Sequence, residues 1–256
     1  MPTDLSLWTS GAIGLALGLL IGSYLATLVV RWPGGEQASS GRSRCDACAA
    51  PLGAADLVPL LSFVLRRGRC GACRAAIDRT HPAIEAACGT IGAAAFLLLP
   101  GWTGVAGAIL GWLLLALAVL DWRHFWLPDR LVLALAGTGL GGLVAGVPPV
   151  ASERAIGGAA AFAALWTIAW LYRRTRGRDG MGGGDPKLFG ALGLWFGWRP
   201  LPLLLLGASL LGLCLALVAR SRGQEIARHH ALPFGTLIAA VGWPLWLWLA
   251  ASGRLG

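Results

Sequence analysis

The sequence predicts an all-α, polytopic membrane protein of about eight transmembrane segments with a zinc-binding loop on the cytosolic side. Three observations carry this. The 256 residues are 56% hydrophobic and only 13% charged, where a soluble domain holds about a quarter charged residues. Several uncharged runs approach or exceed the roughly 20 residues that a helix needs to cross a bilayer. The basic residues gather in alternate loops. An ordinary cytosolic globule, a disordered chain and a coiled coil are excluded.

In chain order, the first run covers residues 7–30. It is too long for the core of a cleavable signal, and no small-residue cleavage pattern follows it, so it reads as a true span. A charged segment, 31–82, comes next. Further apolar runs lie at 83–100, 103–120, 131–150, 155–172, 188–198, 201–219 and 233–251. The sixth of the eight, 188–198, is too short to cross alone at about 1.5 Å per residue. It is expected as a partial helix extended by its flanks, or as a re-entrant one. The domain reading is a first transmembrane helix, 1–30, a cytosolic loop, 31–82, and a transmembrane core, 83–256.

Charge placement tests this count. Of 21 basic residues, 18 fall in the four odd-numbered connections, eight of them in 31–82. The even connections hold only Arg154 and Arg199, and Arg254 sits in the tail. Positive charge marks cytoplasmic loops, so both termini are expected on the periplasmic side. The net charge of +9 is then a topological signal, and no nucleic-acid partner is expected. The basic loops should favour anionic lipid headgroups of the bilayer. Gly14, Gly18 and Gly22 have the small-xxx-small spacing that lets helices approach closely in lipid.

Within the first loop sit Cys45-Asp-Ala-Cys48 and Cys70-Gly-Ala-Cys73. Each C-x-x-C puts two thiolates on one tight turn, and two such turns can close a tetrahedron around zinc. Two disulfides or four idle thiols are the alternatives, and disulfides are rare in the cytosol. Four protein ligands leave no open position, so zinc here is expected to be structural, supplying folding energy to a loop with little core. Cys88 and Cys214 fall inside spans and read as packing residues.

Acidic residues at membrane depth are costly and need a reason. Asp121 closes the third run. Asp129 opens the fourth after Leu127-Pro128. Asp185 lies in Gly182-Gly183-Gly184-Asp185-Pro186-Lys187, and Glu85 one turn inside the second run. Asp129 and Asp185 have the form of N-caps, and capping is the favoured reading for Asp129. Glu85 is placed to pair with a loop arginine. Asp121 ends a helix, where the macrodipole disfavours negative charge, so it calls for a function. Asp121 and Asp185 share the cytosolic face and could converge as a pair that shares a proton. On the residues alone an aspartic membrane protease competes with transport or proton relay.

The ordered motifs resemble the prepilin peptidase family, the type IV leader peptidases. Gly22-Ser23-Tyr24-Leu25 through Arg31-Trp32-Pro33 is similar to its first-helix signature. Cys45 to Glu85 follows its cysteine loop, Asp121 with Leu127-Pro128-Asp129 its first aspartate motif, and Gly182-Gly183-Gly184-Asp185-Pro186-Lys187 its Gly-x-Gly-Asp-x-Lys signature. Leu232-Pro233-Phe234-Gly235 resembles its last motif. Ala26 stands where the family usually has asparagine, Thr80-His81 replaces Arg-Tyr, and Val58 an isoleucine. The resemblance implies that Asp121 and Asp185 are catalytic, with Gly182, Gly184, Lys187, Asp129 and Glu85 as candidate supporting residues. It implies an inner-membrane aspartic peptidase that cuts the short basic leader of prepilins and pseudopilins on the cytosolic side. Members with this loop often also methylate the new N-terminus, using S-adenosylmethionine. The rival readings are a methyltransferase-only homologue and a non-cleaving scaffold that docks pilins.

Overall fold

A computed structural model of the chain describes residues 4–38, 42–222 and 232–255. Nine α-helices lie among them: α1 (Asp4–Arg31), α2 (Leu61–Leu65), α3 (Thr80–Leu98), α4 (Gly101–His124), α5 (Asp129–Gly141), α6 (Ala151–Arg176), α7 (Asp185–Phe196), α8 (Leu201–Ser221) and α9 (Phe234–Ala251). No strand occurs among the described residues, only two isolated bridges. The last basic loop of the sequence reading lies largely outside them.

Each of the eight apolar runs contains a helix. Six of the helices are long and apolar enough to cross a membrane: α1, α3, α4, α6, α8 and α9. The other two, α5 and α7, have 13 and 12 residues, roughly 18–20 Å of helix against a hydrocarbon core of about 30 Å. For the sixth run this matches the short helix expected. For the fourth it is a departure, because the helix stops at Gly141 well before residue 150. The following turn runs through Gly142 and Gly146, which has φ of 67°, and ends at Pro148-Pro149, so glycine and proline stop the helix.

The chain forms two compact units, Met1–Pro100 and Gly101–Gly256. In the first, α1 packs along α3. The glycine stripe makes that contact: a Cβ on Gly14 or Gly18 would strike the carbonyl oxygens of Gly92 and Cys88, and one on Gly22 would come within 2.8 Å of the Glu85 Cα. Ala26 continues the seam and is fully buried. Small residues thus let two backbones meet where lipid offers no hydrophobic drive.

In the second unit α7 touches α5, α6 and α9, and α9 touches α4 and α8. Gly157 and Gly193 bring α6 and α7 together backbone to backbone. The core centres on Trp195 and Trp246, whose rings meet edge to face at 5.8 Å. Trp195 Nε1 donates to the Leu135 carbonyl at 2.8 Å and Trp246 Nε1 to the Trp195 carbonyl at 3.2 Å, so neither buried indole lacks a partner. The outer faces of α6 and α8 leave Trp166, Leu206 and Leu210 more than half exposed. That much open apolar surface fits lipid rather than water.

Candidate active site

Four helix ends meet at one end of the second unit: the last turn of α4 with Asp121, and the starts of α5, α7 and α9. Asp121 and Asp185 are both buried there, at 5% and 4% exposure. Asp121 Oδ2 accepts from the Thr236 N–H at 2.7 Å, and the Thr236 hydroxyl lies 3.1 Å away. Asp185 Oδ2 accepts from the Gly182 N–H at 3.0 Å. The Gly235 amide lies beside both carboxylates, so the two acids converge on one backbone group. The first amides of a helix have no partner within it. Those of α9 answer the question posed by a carboxylate at the C-terminal end of α4.

The glycines are there for space. A Cβ on Gly235 would stand 3.0 Å from both Asp121 Oδ2 and Leu127 Cδ1, and one on Gly184 would come within 2.8 Å of the Leu127 Cβ. Leu127 therefore wedges between the turn that carries Asp185 and the turn that faces Asp121. Beside Gly183 the space is open. Burial first, and the Asp121 carboxylate second, push the Asp185 carboxyl up to about 6, against the pull of the Gly182 and Gly235 amides. Two carboxyls so placed resist being ionised together.

Neither expected cap is made. Pro128 and Gly184 hold the N-cap positions of α5 and α7, and neither helix has a side-chain cap bond. Asp185 instead turns back to Gly182. Asp129 pairs with Lys187 Nζ at 2.7 Å, both side chains about half exposed or more, which ties the start of α5 to the first turn of α7. An exposed pair of this kind contributes at most about 1 kcal/mol. Glu85 belongs to the first unit. The bond described for it is not to an arginine: its Oε2 accepts from the Leu60 amide at 2.8 Å, steadying a residue whose φ of 59° is unusual outside glycine. Thr236, Leu127 and Arg154 were not singled out in the sequence as site or framework residues. A hydroxyl beside Pro233-Phe234-Gly235, and a lone arginine opening an apolar run on the side poor in positive charge, were the available signals.

The four loop cysteines come together in the first unit, their Sγ atoms all within 4.8 Å of one another, with Cys45 and Cys73 4.0 Å apart. Thiolates about 2.3 Å from a tetrahedral zinc stand about 3.8 Å apart, so the set fits. The two turns are copies. Cys45 N–H donates to Ala50 O and Ala49 N–H to Cys45 O, while Cys70 N–H donates to Ala75 O and Arg74 N–H to Cys70 O. Ala49 and Arg74 both adopt φ near 60°. Each turn is closed by one bridge, Arg44 to Pro51 and Arg69 to Ala76. Asp46 anchors the first turn to both long helices, 2.8 Å from Arg31 at the end of α1 and 3.7 Å from His81 at the start of α3. Bound zinc would act as a structural closure. The purified chain should carry one zinc, and Cys70→Ser should lose it and leave residues 42–79 open to proteolysis. Elemental analysis with limited proteolysis checks this, and a zinc-free wild type with a protected loop contradicts it.

Comparison with known proteins decides the family. Residues 108–217 match the model of the type IV leader peptidase family, and residues 16–99 that of the bacterial peptidase A24 N-terminal domain. Proteins named prepilin leader peptidase/N-methyltransferase are similar over most of their length. That of Aeromonas salmonicida is 38% identical over 81% of this chain and 71% of its own. That of Stutzerimonas stutzeri is 35% identical over 91% and 89%. The chain belongs to the type IV leader peptidase family. The Pseudomonas aeruginosa relative, 33% identical over 91% and 89%, carries the same name. No solved structure matches significantly. Both family matches fall on motif-bearing segments of this chain: the N-terminal match takes in the cysteine turns, and the peptidase match both buried aspartates.

Proposed function

We propose that this chain removes the short basic leader of prepilins or pseudopilins, with Asp121 and Asp185 as the catalytic pair. The observation that carries the reading is the convergence of two buried carboxylates, from different helices, on the Gly235 amide. One carboxylate takes a proton from a water held between them while the other, protonated, donates to the scissile carbonyl oxygen. Water oxygen bonds to the carbonyl carbon. The leaving nitrogen then takes a proton from the first carboxyl as the C–N bond breaks, a hydroxyl of the intermediate returns its proton to the second carboxylate as the carbonyl re-forms, and the pair again holds one proton. The open side at Gly183 gives an extended peptide backbone room to approach. Lys187 and Asp129 flank the entrance as orienting groups.

The positive-inside pattern supports a site facing the cytosol, in the inner membrane, with the N-terminus periplasmic. The relatives are named N-methyltransferases as well, and we assign this chain methylation of the new N-terminus, with S-adenosylmethionine as the donor and the cysteine loop as the associated region. A chain co-expressed with a prepilin should yield a product shortened by its leader and, where methylation is retained, one methyl group heavier at its N-terminus. Intact mass measurement checks both activities. A full-length prepilin beside a well-folded enzyme, repeated across several clients, favours the docking scaffold instead.

A further inference from the structure

We propose that Thr236 is a positioning residue that holds Asp121 in one orientation through both of its protonation states. The inference rests on the reading of Asp121 and Asp185 as a catalytic pair. Thr236 lies in the first turn of α9, and its backbone N–H donates to Asp121 Oδ2 at 2.7 Å. Its Oγ1 stands 3.1 Å from that same oxygen and 2.9 Å from the Ala118 carbonyl, three residues before Asp121 on α4. A threonine hydroxyl has one hydrogen to give and two lone pairs to receive, so it cannot donate to both oxygens at once.

That limit is what makes the arrangement useful. With Asp121 ionised, the hydroxyl donates to Oδ2. With Oδ2 protonated, the carboxyl hydrogen passes to Oγ1, and the threonine hydrogen turns to the Ala118 carbonyl. Both patterns fill every donor and use the same heavy-atom positions. A carboxyl that gives and takes a proton during each hydrolysis then need not rotate to stay bonded. Ala118 and Asp121 belong to one helix, so the acceptor that receives the displaced hydrogen is fixed relative to the carboxyl. The backbone N–H donates to Oδ2 in either state but cannot accept the carboxyl hydrogen, and nearly any residue at 236 supplies it. The hydroxyl is the specific part.

The test compares Thr236→Val, which keeps shape and amide but loses the hydroxyl, with Thr236→Ser, which keeps the hydroxyl. The full chain in detergent is assayed on a prepilin for kcat and KM, with thermal unfolding alongside. The valine variant should lose about ten- to hundredfold in kcat with KM within about twofold and an unfolding midpoint near wild type, the pattern of an interaction that matters to the chemical step. Serine should return kcat to within a few-fold of wild type. Valine at the wild-type rate, or serine as slow as valine, overturns the proposal. If the valine chain does not fold, Thr236→Ala against Thr236→Ser gives the same reading. Asp121→Asn is assayed beside them. If it cleaves normally, the catalytic pair itself fails. If it is inactive while Thr236→Val is normal, only the role of Thr236 falls.

Discussion

Replacing Asp121 or Asp185 with asparagine should lower leader cleavage by roughly three orders of magnitude or more, within or beyond the range of general acid–base catalysis, while leaving the fold in place. Asparagine matches the carboxylate in shape and keeps an oxygen for the Thr236 and Gly182 amides that now donate to the two acids. What it cannot do is take or give the proton. On the proposed mechanism the two acids act as a unit, so the double variant should be no slower than the worse single one. A capping role predicts the reverse pattern, a loss of about 1 kcal/mol in stability with activity retained. Neither α5 nor α7 has a side-chain cap bond.

Arg154→Met should unfold or severely destabilise the second unit. The guanidinium is 1% exposed, and its described bonds go to four backbone carbonyls and to no carboxylate. They are Pro149 at 2.8 Å, Gly139 at 2.5 Å, Leu194 at 2.7 Å and Val147 at 2.6 Å. One side chain thus joins α5, the turn after it, the start of α6 and the end of α7. Losing the donor strands four carbonyls, three in buried contacts and that of Leu194 part-buried, and each buried acceptor left without a partner costs about 1–3 kcal/mol. Lysine should rescue poorly, since a single ammonium with three donors cannot reproduce the planar fork. Thermal unfolding in detergent measures this. A midpoint within a few degrees of wild type in Arg154→Met contradicts it. The short α5 and α7, which carry Asp129 and Asp185 at their starts, need this clamp at the far end to hold the near end steady.

Much of the architecture was legible because lipid imposes simple rules. An apolar run of sufficient length must be helical where lipid surrounds it, and each of the eight runs contains a helix. The glycines of α1 were read as a seam and are one. The early end of α5 was harder to see, since Leu143, Val144 and Val147 keep the composition apolar while Gly142, Gly146 and Pro148-Pro149 decide the backbone. At the site, Asp121 stood out because a carboxylate at a helix C-terminus needs an explanation. The explanation lies 115 residues on, in the amides of α9, and no local pattern around Asp121 contains it. Asp129 met every local criterion for a cap, yet its carboxylate faces Lys187 from the start of another helix. Arg154 is one of the few charges on the sparse side; topology alone accounts for its place there, and nothing in the local sequence marks its burial.

The most direct test of the catalytic pair is the mass of a prepilin incubated with purified wild-type chain, Asp121→Asn and Asp185→Asn at matched concentration and matched thermal stability. The account predicts a leader-shortened product with the wild type and an intact prepilin with either variant. A shortened product from a folded Asp185→Asn or Asp121→Asn chain at the wild-type rate would contradict it.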